Sequence, residues 1–386
     1  MRIAVLGSTG SIGRQAIEVA SRASGEARIV ALAAGTRLDQ LEAQARTLAP
    51  SMLALEHAGD AAAARTRLEA ACPGARVRVG PGSAAWLAEE SEAEVVVNGI
   101  VGAAGLDASL RTLARGARLA LANKETLVVG GPLVRAALAR GGELIPIDSE
   151  HSAALQCLGG RPAGEVRKLT LTASGGALRE HPDWRRATPA EVLRHPVWAM
   201  GGRITVDSAL LVNKALELIE AHWLFGLDWE QMEAWLHPQA LFHALVTFRD
   251  GSTVAQAAPP DMRLPIQVAL TWPSHGEPVI TPLDLKRLES LSFDRIVPGR
   301  FPAFDLALAA GRAGGTAPCV LNAADEVAVA AFLDQRLTLG QVPDVLSRTL
   351  STHGIEPVES LEQLRAVDQW ARASAGEAIR DLAVRA

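Results

Sequence analysis

Ile3-Ala4-Val5-Leu6-Gly7-Ser8-Thr9-Gly10-Ser11-Ile12-Gly13, continuing into Arg14-Gln15-Ala16-Ile17-Glu18-Val19-Ala20, decides the fold. Four apolar residues, a glycine-rich turn and a mixed run read as strand, turn and helix. The spacing from Gly7 is GxxGxxG, a variant of the dinucleotide fingerprint. Glycines there let the backbone approach a pyrophosphate, which sits on the helix N-terminus. A plain strand-to-helix turn is the competing reading. The repeats of strand and helix that follow favour the cofactor turn.

Working outward, Arg28-Ile29-Val30-Ala31-Leu32-Ala33 is the next strand and ends in Ala34-Gly35-Thr36-Arg37. An NAD enzyme usually offers an acidic residue here to the ribose 2′-hydroxyl. Thr36 and Arg37 stand there instead, and a guanidinium suits a 2′-phosphate. NADP(H) is therefore preferred, with nearby Asp39 as the residue that argues the other way. Strand-like runs at 95–97 and 117–122 end in Asn98-Gly99 and Asn123-Lys124-Glu125. Ligands of open α/β sheets bind at such carboxyl ends. Lys124 could polarise a carbonyl or hold a hydroxyl; a surface pair with Glu125 is the alternative.

Ile145-Pro146-Ile147-Asp148-Ser149-Glu150-His151 opens the middle of the chain. If it stays extended past Ile147, Asp148 and Glu150 point to one side, half a cage for a hard divalent cation. The other candidate half is in 206–225, thirteen of whose twenty residues are apolar, which reads as one buried helix capped by Asp207 or Ser208. Asn213, Lys214, Glu217 and Glu220 are costly in such a helix unless something pairs with them. One reading is a Lys214–Glu217 pair on an exposed edge. The other gives Glu217 to a metal and sets Ser208, Asn213 and Lys214 on a phosphate.

Between these halves, the strand at 169–173 runs into Ser174-Gly175-Gly176, a phosphate-nest pattern. His195-Pro196-Val197-Trp198-Ala199-Met200-Gly201-Gly202 reads as a flap with an aromatic lid and a glycine hinge, or as a packed surface loop. A strand over 236–248 feeds the turn Arg249-Asp250-Gly251-Ser252, 253–257 returns, and a short helix starts near 260. These imply an α+β domain with a mostly antiparallel sheet able to pair with a second copy, hence a homodimer. Prolines at 273, 278, 282, 298 and 302 mark a linker. Helical segments near 303–313, 322–334, 339–352 and 359–382 suggest a small bundle, with Asn322, Asp325 and Glu326 at a capped helix start.

With 386 residues, 48% hydrophobic and 21% charged, the chain has room for two or three domains. A net charge of −5 argues against bulk binding to nucleic acid or an anionic membrane surface. Cys72, Cys157 and Cys319 lack metal or disulfide spacing, and no signal core or 18-residue apolar run is present, so the expected location is the cytoplasm. There is no Tyr, which leaves acid and base work to Asp, Glu, His, Lys or water.

Taken together, GSTGSIG at 7–13, NKE at 123–125, DSEH at 148–151, SGG at 174–176 and the VDS, NK and LE elements within 206–217 resemble the 1-deoxy-D-xylulose 5-phosphate reductoisomerase family. HPQ at 237–239, PDMR at 260–263 and NAADEVAVAAFL at 322–333 continue the likeness. The resemblance implies an NADPH- and Mg²⁺- or Mn²⁺-dependent enzyme acting on a small sugar phosphate, 1-deoxy-D-xylulose 5-phosphate. It would rearrange the carbon skeleton, by cleavage and re-addition, and reduce the aldehyde to 2-C-methyl-D-erythritol 4-phosphate. It also implies Asp148, Glu150 and Glu217 as metal ligands, and Lys124, Ser149 and Glu150 facing substrate oxygens. Ser174, His195, Ser208, Asn213 and Lys214 would hold the phosphate end. Gly7, Thr9, Gly10, Ser11, Ile12, Gly35, Asn123, Glu125 and Gly201 would meet NADPH. Thr36-Arg37 depart from the family's usual Lys-Asn, Val197 from Asn, Ala240 from Ser, Ala215 from Gly and Ala177-Leu178 from Pro-Phe. None of these removes a proposed ligand.

The implied architecture is a Rossmann-like dinucleotide-binding domain over 1–147 and an α+β catalytic and dimerisation domain over 148–273. A linker over 274–299 and a C-terminal helical bundle over 300–386 complete it. Two other readings stay open: an NADP-dependent semialdehyde or homoserine dehydrogenase, which would need a reactive thiol or a lysine pair, and a non-enzymatic NADP-binding regulator. The second leaves the carboxylates at 148, 150 and 217 without a purpose.

Overall fold

The computed structural model describes residues 1–22, 27–198 and 201–384, the last two without their side chains. Two compact units emerge. The first comprises 1–126, 133–152 and 261–282; the second comprises 127–132, 153–260 and 283–386. Residues 261–282 thus belong with the dinucleotide-binding part, although the sequence suggested catalytic domain and linker there.

In the first unit seven strands form one parallel sheet: β1 (Arg2–Leu6), β2 (Arg28–Ala34), β3 (Met52–Leu55), β4 (Arg76–Val79), β5 (Val95–Asn98), β6 (Arg118–Leu121) and β7 (Glu143–Pro146). Their order is β4-β3-β2-β1-β5-β6-β7. The order reverses between β1 and β5, the switch point where ligands of such sheets bind. Apolar runs such as 3–6 and 29–34 are buried throughout, as expected for strands covered on both faces. β3 and β4 escaped the sequence reading. They are four residues long, and β4 at the sheet edge alternates arginine with valine.

The second unit holds a five-stranded sheet of β8 (Val166–Ala173), β9 (Met232–Leu236), β10 (Phe242–Phe248), β11 (Thr253–Ala257) and β12 (Asp294–Arg295), in the order β11-β10-β8-β9-β12. Only β8–β9 is parallel. The proline-rich stretch therefore contributes a short strand rather than acting purely as linker. Residues 237–241 interrupt the strand expected over 236–248, and Ala240 there takes the left-handed conformation at φ 47°. One core joins this sheet to the helices Val212–Phe225, Pro302–Ala313, Ala317–Leu333 and Val342–Ser351.

Three local expectations fail, each for a physical reason. The chain does not stay extended past Ile147, because a helix, Ser149–Leu158, starts there. Asp148 caps it, its carboxylate accepting the Glu150 N–H at 3.3 Å and its carbonyl the Ser152 N–H at 2.8 Å. The single helix over 206–225 is two, Gly202–Ala209 and Val212–Phe225, broken where Leu211 turns left-handed at φ 58°. Asn322, Asp325 and Glu326 do not start a helix but lie inside Ala317–Leu333, which begins with Pro318 in its first turn.

Candidate active site

Backbone crowding explains the sequence of the first turn. Gly7 has φ 74°, and a Cβ there would lie 2.6 Å from the Gly99 carbonyl oxygen, so the turn is pressed against the end of β5. Its carbonyl accepts the Gly10 N–H at 2.9 Å, and the Ser8 N–H donates to Ala33 O at 2.9 Å. Thr9, Gly10, Ser11 and Ile12 are thereby set at the start of the helix Ser11–Arg22, the end of a helix that favours an anion. Gly35, Thr36 and Arg37 follow β2 and are exposed. Asp39, the residue that could have argued for NAD, is instead bonded to Arg67 at 2.6 Å.

Asn123 and Glu125 follow β6. The Asn123 amide donates to Ile100 O at 2.9 Å, Gly102 O at 2.8 Å and Glu125 Oε2 at 2.9 Å, and its oxygen accepts the Thr126 N–H at 3.0 Å. Its side chain is thus spent on fixing the loop after β5.

Lys124 is not a surface residue. It is 9% exposed, and its Nζ donates to Asp148 Oδ2 at 2.9 Å. On the other side His151 Nδ1 lies 3.1 Å from Asp148 Oδ1. Burial alone would push the Asp148 carboxyl up; Lys124 and His151 outweigh it and hold the group well below the usual carboxylate range. Glu150 accepts a hydrogen bond from the Ser149 hydroxyl. The first unit thus presents two carboxylates, that of Asp148 held ionised, and carboxylate oxygens are the ligands a hard divalent cation takes. His151 was quoted in the sequence motif and given no role. The signal that could have found it is the i, i+3 spacing from the helix-capping Asp148.

In the second unit Glu217 is 2% exposed and doubly held. Asn213 Nδ2 donates to its Oε1 at 2.5 Å, and Lys214 pairs with its Oε2. The Lys214–Glu217 pair exists, but in the interior rather than on an exposed edge. An ammonium and an amide thus take up one oxygen each of this buried carboxylate.

Ser174, His195 and Ser208 do come together. His195 Nδ1 accepts the N–H groups of Val197 at 3.2 Å and Trp198 at 2.9 Å. A neutral ring therefore carries its proton on Nε2, which lies 3.2 Å from Ser174 Oγ and 3.3 Å from Ser208 Oγ. Burial lowers the imidazole's pKa, which favours that neutral form. Gly176, at φ 66°, permits the approach: a Cβ on it would fall 2.7 Å from Ser208 O. Two hydroxyls and an imidazole N–H in one place are donors of the kind a phosphate takes. The Trp198 ring lies 6.3 Å from that of His243, and Gly201 precedes the helix Gly202–Ala209. Ala199 and Met200, the middle of the expected flap, fall outside the described residues.

A thiol mechanism has no place here. All three cysteines are buried; burial raises the pKa of Cys72, that of Cys157 to about 11 and that of Cys319 to about 12. No helix of the described residues is long and apolar enough to cross a membrane.

Three family profiles match the chain. One described as 1-deoxy-D-xylulose 5-phosphate reductoisomerase matches residues 3–131, and profiles of C-terminal domains of that enzyme match 144–225 and 257–374. The reductoisomerase of Moorella thermoacetica is 47% identical, over 97% of this chain and 97% of its own. That of Gloeobacter violaceus is 45% identical over 96% and 95%. Among solved structures, the Zymomonas mobilis enzyme in complex with NADPH superposes with a TM-score of 0.91 at 34% identity, covering 98% of each chain. A reductoisomerase in complex with NADPH, fosmidomycin and magnesium gives 0.90 at 34% identity, covering 99% of each.

Proposed function

From the premise that this chain belongs to the 1-deoxy-D-xylulose 5-phosphate reductoisomerase family, we propose how its residues divide the work. The reaction is the NADPH- and divalent-metal-dependent rearrangement and reduction of 1-deoxy-D-xylulose 5-phosphate to 2-C-methyl-D-erythritol 4-phosphate. The single observation that carries the assignment is Asp148 kept ionised between Lys124 and His151 at the end of β7.

Asp148, Glu150 and Glu217 are the ligands of one Mg²⁺ or Mn²⁺ ion, which when bound supplies fixed positive charge to adjacent substrate oxygens. Lys124 adds a second positive charge beside them and steadies a developing enolate. Ser149 hydrogen-bonds a substrate oxygen. Ser174, His195 and Ser208 grip the phosphate, with His195 donating from Nε2, while Asn213 and Lys214 hold Glu217 and border the same end. Thr9, Gly10, Ser11 and Ile12 receive the dinucleotide pyrophosphate, with Gly7, Gly35, Thr36, Arg37, Asn123, Glu125 and Gly201 around the rest. NADPH bound there supplies the hydride. Trp198, whose ring lies near that of His243, shields the phosphate end from water. We further propose a cytoplasmic homodimer, supported by β11, an exposed strand at the edge of the second sheet.

Following NADPH oxidation with 1-deoxy-D-xylulose 5-phosphate and each divalent cation in turn tests this. Chelation abolishes turnover, and Glu217→Gln weakens metal binding by about ten-fold or more in calorimetry and removes most activity. Full activity after exhaustive demetallation would overturn the assignment.

A further inference from the structure

We infer that Arg14 and Arg37 form a two-guanidinium clamp for the 2′-phosphate of NADP(H), so that cofactor choice rests on a residue of the glycine-turn helix as well as on the end of β2. The inference rests on the proposed dinucleotide site and adds a residue to it that no motif marks.

Both side chains reach one atom. Arg14 Nη1 donates to the Thr9 carbonyl oxygen at 2.6 Å, and Arg37 Nη1 donates to the same oxygen at 3.1 Å. Thr9 itself is 4% exposed and belongs to the turn pinned to β2 through Ser8 and Ala33, so the meeting point is fixed before any ligand arrives. A carbonyl is a neutral acceptor and uses one donor from each guanidinium. The remaining donors of each fork stay available.

Charge balance points the same way. Among the described residues neither Arg14 nor Arg37 has a carboxylate partner, and both are exposed. Their neighbours differ: Arg67 is satisfied by Asp39 and Glu42, and Arg46 by Glu42. Two like charges brought to one oxygen without a counterion repel, and a phosphate dianion between them removes that cost while gaining fork-shaped hydrogen bonds. The location is also right. In a parallel sheet of this order the ribose of a bound dinucleotide lies over the end of β2, where Arg37 begins the next helix. Arg14 reaches the same spot from the first turn of the helix Ser11–Arg22. The family's usual Lys-Asn is thereby replaced by two arginines from separate elements.

Titration calorimetry with adenosine 2′,5′-bisphosphate and with 5′-AMP, alongside NADPH and NADH, tests the clamp on the full chain. Arg14→Gln and Arg37→Gln should each weaken the bisphosphate and NADPH by about ten-fold and leave 5′-AMP and NADH unchanged. Arg14→Lys, keeping charge without the fork, should recover part of the loss. If Arg14→Gln leaves the NADPH-to-NADH preference at the wild-type value, or weakens all four ligands equally, the clamp is wrong. A wild-type chain that prefers the bisphosphate through Arg14 yet fails to turn over 1-deoxy-D-xylulose 5-phosphate would support the clamp and fault the functional reading. Normal turnover with undiminished NADPH affinity in the double variant would overturn the clamp alone.

Discussion

Asp148 at the end of β7 and Asp325 inside the helix Ala317–Leu333 are both aspartates withdrawn from water beside a cation, and they end in opposite states. Burial pushes both carboxyls up. At Asp148, Lys124 and His151 stand on either side of one carboxylate and reverse that effect. At Asp325 one guanidinium, Arg203, is divided among three acids: Glu326 at 2.8 Å, Asp325 at 3.3 Å and Asp207 at 3.5 Å. Arg203 and a hydrogen bond with Asp207 do not offset the desolvation, and the Asp325 carboxyl stays raised. The difference teaches that cations per carboxylate, not burial, decide which acid is held ionised and which is pushed toward its neutral form.

The largest break of this comparison is Asp148→Asn. The amide keeps shape and a helix-capping oxygen but loses the charge, so kcat/KM should fall on the order of a thousand-fold in NADPH-oxidation assays at saturating Mn²⁺. A loss smaller than ten-fold would mean that the ionised state of Asp148 is not what the site uses. Lys124→Ala is the next test. It removes one of the two cations, so the Asp148 pKa rises and the acid limb of the kcat/KM profile moves to higher pH. The rate falls by about a hundred-fold. An acid limb that stays in place would show that His151 alone sets the charge.

Much of this contrast could not be read from residue order. The parallel sheet was legible at 3–6, 28–34 and 95–98, where strands buried on both faces are continuous apolar runs. β3 is as apolar and as buried, but Met52-Leu53-Ala54-Leu55 are good helix formers where β5 has three valines, and edge strand β4 alternates arginine with valine. The candidate ligands were legible as residue types, yet the geometry around two of them was not. Asp148 looked like part of a strand because two preceding isoleucines alternate, while the Asp-Ser-Glu start of a helix was equally present in the same letters. The break at Leu210-Leu211 has no glycine or proline to announce it. Arg203 and Asp325 lie more than a hundred residues apart, so their pairing is a product of tertiary packing that no local period encodes. Arg14 was hidden for the same reason: its meaning depends on where Arg37 arrives.

Asp325→Asn should have the smallest effect, and its sign is the sharpest check on the comparison. A carboxyl whose folded pKa is raised costs nothing below its unfolded value, because it is protonated in both states. The cost appears as pH rises through the unfolded pKa, about 4, and is complete above the folded one. An amide in its place keeps an oxygen for Arg203 and never bears the charge, so the variant should equal the wild type in acid and be as stable or slightly more stable at pH 7, by about 1 kcal/mol or less. Thermal unfolding of both proteins at several pH values measures the gap. Because Asp325 is fully buried inside the helix Ala317–Leu333, kcat should change by less than about two-fold. If Asp325→Asn is instead less stable at neutral pH, and the deficit closes on acidification, the charge of Asp325 is being used after all. Arg203 would then hold it as Lys124 and His151 hold Asp148.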